Sequence, residues 1–293
     1  MAGEDEHTGP DIVPEWMQVY QQSEEDFAAA YAFAHARERA FVKTAMAGLY
    51  SWLRPSQVRG RKTETELVQG LTMCEVKSPR KWAVVHMPSL CAGPGLILAA
   101  VLPLLAAGVW PVIAVMGEKN PGRQAALLTL ELAGIDTAYI LPEETMVSAL
   151  RYWQNMQGRG PGLLVHVGQE PALSCTSGGP LFISLPPPQK AAVWMGDEDF
   201  DLQALSFAHP GVEFVVWSGQ KKDLPPDWSQ DWGEWSRFLD QEADVVWVPN
   251  SRLHQALEIY PLVLGPGQEP LWVWPWYTPN ILEDTRLGLV WNT

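Results

Sequence analysis

Between residues 81 and 167 the chain alternates strand and helix almost without a break, and this rhythm limits the fold more than any other feature. Residues 82–87 (WAVVHM) have the alternation and β-branched content of a strand. Gly93, Pro94 and Gly95 form a turn, and 96–107 is an apolar helix that Gly108 can cap. Residues 112–116 read as a second strand. Asn120 and Pro121 then supply an N-cap and a first-turn proline for a helix that stops at Gly134. A third strand is expected at 137–141, a helix from Pro142 to near 157, a turn at 158–162 and a fourth strand at 163–167. Connections this short around helices this long require parallel neighbours joined by right-handed crossovers. The expected class is α/β: a Rossmann-like three-layer domain with a mainly parallel sheet.

The apolar run 96–115 has the length of a membrane span. Pro103, Gly108 and Pro111 divide it, however, and both flanks keep the α/β rhythm, so a buried strand–helix unit is expected and no membrane. With 47% apolar and 18% charged residues the composition is globular. A net charge of -14 opposes any broad basic face, which argues against nucleic acid as a partner. The basic cluster Arg54, Arg59, Arg61 and Lys62 reads as a solvated loop. Cys74, Cys91 and Cys175 are too scattered for a disulfide scaffold or a zinc site. They fit a reducing compartment, and the start MAGEDEHTGP lacks a basic-then-apolar signal. The expected location is cytoplasmic.

Outside the regular stretch, Ser23 followed by Glu24, Glu25 and Asp26 starts one long helix expected over 23–52, which Pro55 ends. Segment 56–80 is polar, with a short helix expected at 64–73. Residues 1–80 are thus a helical segment packed on a core domain spanning 81–293. After Gly168 the rhythm loosens. Strands are expected at 181–185, 191–195, 212–218 and 245–248, and helices at 197–208 and 232–239, without an internal repeat. Residues 251–264 should give a helix and then an apolar turn or strand. The late tryptophans pack the core, and Trp272, Trp274 and Trp276 are candidates for an aromatic surface on which two copies pair.

The run KWAVVHMPSLCAGPGLILAAVLPLLAAGVWPVIAVMGEKNPGRQAALLTLELAGIDTAYILP, continued by LLVHVG at 163–168, resembles the cofactor-domain entrance of the aldehyde dehydrogenase and histidinol dehydrogenase superfamily. The segment FISLPPPQKAAVWMGDEDFDLQAL at 182–205 resembles the block in which that family places Glu-Leu-Gly-Gly before an acidic helix start. The resemblance covers about 81–208. It implies the cofactor-domain topology, with NAD or NADP lying outside the carboxyl ends of the strands. The residues independently point to the same crevice. The candidate cofactor-binding residues are Ser89, Gly93, Gly95, Lys119, Gly168 and Ser177. Gly93 and Gly95 open a helix whose N-terminus can receive an anion. Lys119 follows the second strand, where aldehyde dehydrogenases keep a cofactor-contacting lysine. No GxGxxG fingerprint is present.

The departures from the family are as informative. Ser184 stands where the general-base glutamate is expected, and Pro186 and Pro187 stand where the paired glycines belong. Proline has no amide donor and cannot adopt glycine's conformations. No cysteine follows Cys175, so the family's thiol nucleophile has no candidate. The chain is also shorter than a complete member, which implies a truncated protein lacking most of the catalytic domain. Ordinary aldehyde dehydrogenase activity is therefore not expected, and the catalytic residues are unassigned.

Histidinol dehydrogenases use zinc with histidine or glutamate bases. Here His86, His166, His209 and His254 are far apart and form no HxxH, HxxxH or HExxH spacing, so no metal site is expected. The loop Ser174–Ser177 before Gly178 and Gly179 is a candidate ligand loop, with Cys175 its thiol. Asp197, Glu198, Asp199 and Asp201 fit the first turn of a helix without further function. Three readings follow: a dehydrogenase-derived protein binding a dinucleotide or small metabolite, an assembly module on the same scaffold, and an oxidoreductase with a rebuilt site around His166.

Overall fold

A computed structural model describes residues 12–53, 60–88, 93–156, 160–168, 179–196 and 198–291. A 3₁₀ turn at Glu15–Tyr20 leads into α1 (Glu24–Phe33) and α2 (Ala36–Leu53). The start expected at Ser23 is present as a capping box: the Asp26 amide donates to Ser23 Oγ at 3.2 Å, and the Ser23 amide donates to Asp26 Oδ2 at 2.9 Å. The single helix expected over 23–52 is broken at Ala34, whose backbone is extended. Arg39 donates to the carbonyls of Tyr31 and Ala34, and the His35 amide donates to Glu38 Oε2 at 2.7 Å. These bonds satisfy the polar groups that the break exposes.

The expected short helix at 64–73 is instead a hairpin of β1 (Arg61–Val68) and β2 (Leu71–Pro79). Gly70 turns it with a positive φ of 83°, and Thr63, Thr65, Thr72 and Val76 suit strands better than a helix.

The regular core then runs β3 (Trp82–Met87), α3 (Pro94–Ala106), β4 (Val112–Gly117), α4 (Arg123–Ala133), β5 (Ala138–Leu141), α5 (Glu143–Gln154), β6 (Gly162–Val167) and β7 (Leu181–Leu185). All five strands are parallel, in the order β5-β4-β3-β6-β7. A second block follows: β8 (Lys190–Trp194), α6 (Leu202–Ala208), β9 (Glu213–Trp217), β10 (Ser229–Asp231), α7 (Trp235–Leu239), β11 (Val245–Trp247), α8 (Leu253–Leu257) and β12 (Val263–Leu264). Its strands form another parallel sheet, in the order β10-β9-β8-β11-β12. Finally β13 (Glu283–Trp291) pairs antiparallel with β2, making a separate sheet ordered β1-β2-β13.

The two parallel sheets repeat one topology. Each begins on its central strand, adds two strands to one side, returns and adds two to the other. The sequence shows no matching repeat, and the parallel strands divide into two sheets rather than filling one.

Helix α3 packs on β3, β4 and β6 of the first sheet and against α6 of the second block, and every residue of it except Leu105 is buried. One apolar cluster runs through it from Val85, Met116 and Val165 of the first sheet to Val193, Val216 and Val245 of the second. The membrane-length apolar run is therefore a central helix and the strand after it. No helix among the described residues is long and apolar enough to cross a membrane. On the other face of the first sheet, Trp82, Val84, Val115 and Tyr139 pack with Trp153 of α5 and with Ile12 and Met17 from the N-terminal segment.

Candidate functional site

In the first sheet the chain reverses direction between β3 and β6, so the crevice expected for a ligand lies outside the carboxyl ends of these two strands. His86 and His166 sit there as register partners. Strand periodicity puts His86 on the same face as Trp82 and Val84. His166 shares its face with Leu164, so the two rings emerge side by side. Their Nδ1 atoms are 2.9 Å apart and the ring centroids 4.9 Å. Both residues are buried, at 6% exposure. For that hydrogen bond to form, one Nδ1 carries the proton and the other accepts it. Burial, and then the electrostatic influence of the His166 ring beside it, hold the His86 pKa down to about 3, so His86 is neutral at physiological pH. Phe182 of β7 stacks on His166 at 6.3 Å. Ser184 is His166's register partner on β7, so His86, His166 and Ser184 form a row across three adjacent strands.

The pair forms the floor of a cavity of about 220 Å³. Pro88 and the β4 end (Gly117, Glu118, Lys119) make one wall, and Glu143, Met146, Val147 and Leu150 of α5 make the other. Lys119 Nζ stands 3.5 Å from Glu143 Oε2 with both side chains largely in water, a pairing that contributes little to stability. The lysine is thus available to a phosphate or carboxylate.

Of the residues singled out in the sequence, Lys119 lines this cavity. Gly168 lies beside it, where an added Cβ would stand 2.6 Å from His166 Nε2. Gly93 and Gly95 lie elsewhere. A Cβ on Gly93 would meet Pro210 Cδ at 2.1 Å, and one on Gly95 would meet His209 Cε1 at 2.7 Å. The α3 N-terminus is thus packed against the second block. Ser89 and Ser177, together with Cys91 and Cys175, fall outside the described residues. Asp201 caps α6, accepting from the amides of Gln203 and Ala204 at 3.1 Å each; the helix expected from 197 begins only at Leu202, so Glu198 and Asp199 precede it and do not lie in its first turn.

His209 and His254 do not join the pair. His209 is buried and bonded through Nε2 to the Glu269 carbonyl at 2.9 Å. Burial lowers its pKa to about 4, against the smaller opposing effect of that bond. His254 is exposed on α8. No group of three or more metal-ligating side chains occurs among the described residues. Trp272 and Trp274 are buried and meet edge to face at 5.8 Å, whereas Trp276 is 49% exposed, so these three rings form no common surface patch.

The contact between His86 and His166 was not readable from spacing, because 80 residues separate them. The available signal was their shared phase, each residue being the fifth of its strand, once the first and fourth strands are known to be neighbours.

No family model and no curated protein matches the chain by sequence. Solved structures do match. Histidinol dehydrogenase from Elizabethkingia anophelis superposes with a TM-score of 0.57 at 12% identity, covering 93% of this chain and 77% of that one. The chain has the histidinol dehydrogenase fold. Aldehyde dehydrogenases align more loosely: succinate-semialdehyde dehydrogenase from Burkholderia pseudomallei at TM-score 0.48 and 11% identity, covering 92% of this chain and 88% of that one, and aldehyde dehydrogenase 21 from Physcomitrella patens at TM-score 0.45 and 12% identity, covering 92% and 89%. Coverage of 93% takes in both parallel sheets, so the likeness to histidinol dehydrogenase reaches well beyond the 81–208 stretch that carries the sequence resemblance.

Proposed function

We propose that the chain is a dehydrogenase-like protein that binds a nicotinamide dinucleotide, NAD or NADP, or a small metabolite, at the carboxyl ends of β3, β4 and β6. The observation that carries this reading is the buried His86–His166 pair at the topological switch point. Two buried imidazoles on a mainly apolar sheet face cost desolvation that packing alone does not require. They give the cavity floor a polar ring system beside Pro88, Met146, Val147 and Leu150, apolar surface suited to a heterocycle, with Lys119 at the mouth for a phosphate. The enclosed volume is below the usual range for a drug-sized ligand, so it suits one ring of a dinucleotide and not the whole. With its pKa near 3, His86 is a weak proton acceptor. The pair therefore supports recognition better than acid–base catalysis.

Calorimetric titration of the full chain with NAD and with NADP tests this. Binding at micromolar to low-millimolar affinity is expected. His86→Phe should abolish it, and Lys119→Ala should weaken it by roughly threefold to tenfold, as an exposed charge-assisted contact would. No binding of either cofactor at several millimolar would remove the dinucleotide from the proposal.

One observation favours assembly as a second reading. In the β1-β2-β13 sheet, Leu287, Leu289 and Trp291, each 65% exposed, form a row on one side of the edge strand β13. Pairing of two copies through this row replaces the tryptophan trio as the aromatic surface. Light scattering of Leu287→Asp/Leu289→Asp beside the parent should show a dimer reduced to a monomer. A monomeric parent would end this reading.

A further inference from the structure

The second parallel sheet has a cleft of its own, of about 440 Å³, at the carboxyl ends of β8 and β9. It lies between the loops that follow these strands and is separate from the histidine cavity. The loop after β9 is braced by Gln230 on β10: Gln230 Oε1 accepts from the Lys222 amide at 3.1 Å, and its Nε2 donates to the Gln220 carbonyl at 2.6 Å. Ser218 Oγ accepts from the Gln220 amide at 3.2 Å. The Met195 amide donates to the Trp217 carbonyl at 2.8 Å, tying the roots of the two loops together. The cleft is therefore preformed, which lowers the ordering cost of binding. At Gly219 an added Cβ would meet nothing within 4 Å, so there is open space beside that backbone.

The charges are asymmetric. Lys222 Nζ reaches Asp199 Oδ1 at 3.0 Å, but the lysine side chain is 29% exposed and the aspartate 85%. The cation belongs to the wall, and its counter-ion stands in water at the rim. A pair so placed contributes little, and an incoming carboxylate can displace the aspartate at small cost. Glu198 adds a second carboxylate to the lining. A strongly anionic ligand would be repelled by a chain of net charge -14, and a simple cation would meet Lys222. A ligand that answers both signs and brings no net charge is a zwitterion. We propose that this cleft binds a free, net-neutral amino acid, its carboxylate on Lys222, its ammonium on Glu198 and Asp199, and its side chain against Met195.

Calorimetric titration of the full chain with each net-neutral proteinogenic amino acid is the test, with the N-acetyl and carboxamide forms of the tightest binder as probes lacking one charge. At least one amino acid should bind saturably, and both capped forms should bind roughly tenfold more weakly. Lys222→Ala should weaken binding by a similar factor, and Gly219→Phe, which fills the opening, should remove it. His86→Phe should leave it unchanged, so failure of the dinucleotide proposal and failure of this one are told apart. Absence of binding by every amino acid overturns the proposal. So does binding that survives both cleft substitutions, or that is lost with His86.

Discussion

At the residue scale, two depressed histidines make stability depend on pH in a defined direction. His86 and His209 titrate near 3 and 4 in the folded chain, against an ordinary value of 6.5. Below pH 6.5 the unfolded chain takes up protons that the folded chain refuses. Their contribution to stability is complete above about 6.5 and is lost as pH falls toward 4 for His209 and toward 3 for His86. Each histidine should give a slope of about 1.4 kcal/mol per pH unit well inside that window. Urea unfolding between pH 6.5 and 5, above the range in which most carboxylates titrate, isolates the effect. His209→Gln, which keeps a donor for the Glu269 carbonyl, should reduce the slope by close to one proton. An unchanged slope would show that His209 is not held neutral.

The histidine pair also makes a prediction about coupling. Removing one ring leaves the other Nδ1 buried without its partner, so His166→Leu should cost about 1–3 kcal/mol. His86→Leu/His166→Leu should cost less than the two single substitutions together, because neither leaves an orphan. Additive losses in urea denaturation would mean that the bond at the cavity floor contributes nothing specific. Lys119 could be placed near the crevice from sequence, since its position after a strand is a local property. The histidine pair could not, because it depends on which strands are neighbours and in what register.

At the element scale, the strands of the first sheet were legible because each is four to six residues of β-branched and apolar sequence between turn signals. The strand expected at 82–87 is β3, and that at 181–185 is β7. The β1–β2 hairpin was misread because Glu64, Glu66 and Glu75 give it helix-like polarity, and it has no core to impose alternation. In the second sheet, β8, β9 and β11 answer to the strands expected at 191–195, 212–218 and 245–248, and only β10, three residues long and too short to show a period, had no counterpart. The helix opened by Pro94 was placed correctly, yet its N-terminus faces the second block and not solvent. Gly95→Ala consequently tests packing. Its Cβ would lie 2.7 Å from His209 Cε1 and 3.1 Å from the Pro270 carbonyl oxygen, and backbone oxygen cannot step aside as a flexible side chain can. The substitution should cost about 1–3 kcal/mol by overpacking, while affinity for any ligand in the histidine cavity stays near the parent value. A large loss of affinity with unchanged stability would place a ligand at the α3 N-terminus after all.

At the scale of the whole molecule, the repeated topology raises the question of whether the two sheets behave as two units. Each has its own central strand, its own reversal of chain direction and its own cleft at the strand ends. Yet the apolar cluster through α3 is continuous: the helix packs on β3, β4 and β6 of the first sheet and against α6 of the second block. Separating the blocks would expose Leu96 to Leu104 on one side and Val193, Val216 and Val245 on the other, surfaces with no polar substitute for the lost contact. Cooperative loss of both sheets is therefore expected: one urea transition, with the same midpoint by far-ultraviolet circular dichroism and by tryptophan emission. The emission is informative because Trp194, Trp217, Trp228 and Trp247 lie in the second block, whereas Trp82 and Trp153 belong to the first. An early emission change with the dichroism retained would show that the second block opens alone. In that case its cleft and the histidine cavity would communicate only weakly. A single transition instead makes α3 a rigid element shared by both, so that occupancy of either site should raise the resistance of the whole chain to urea.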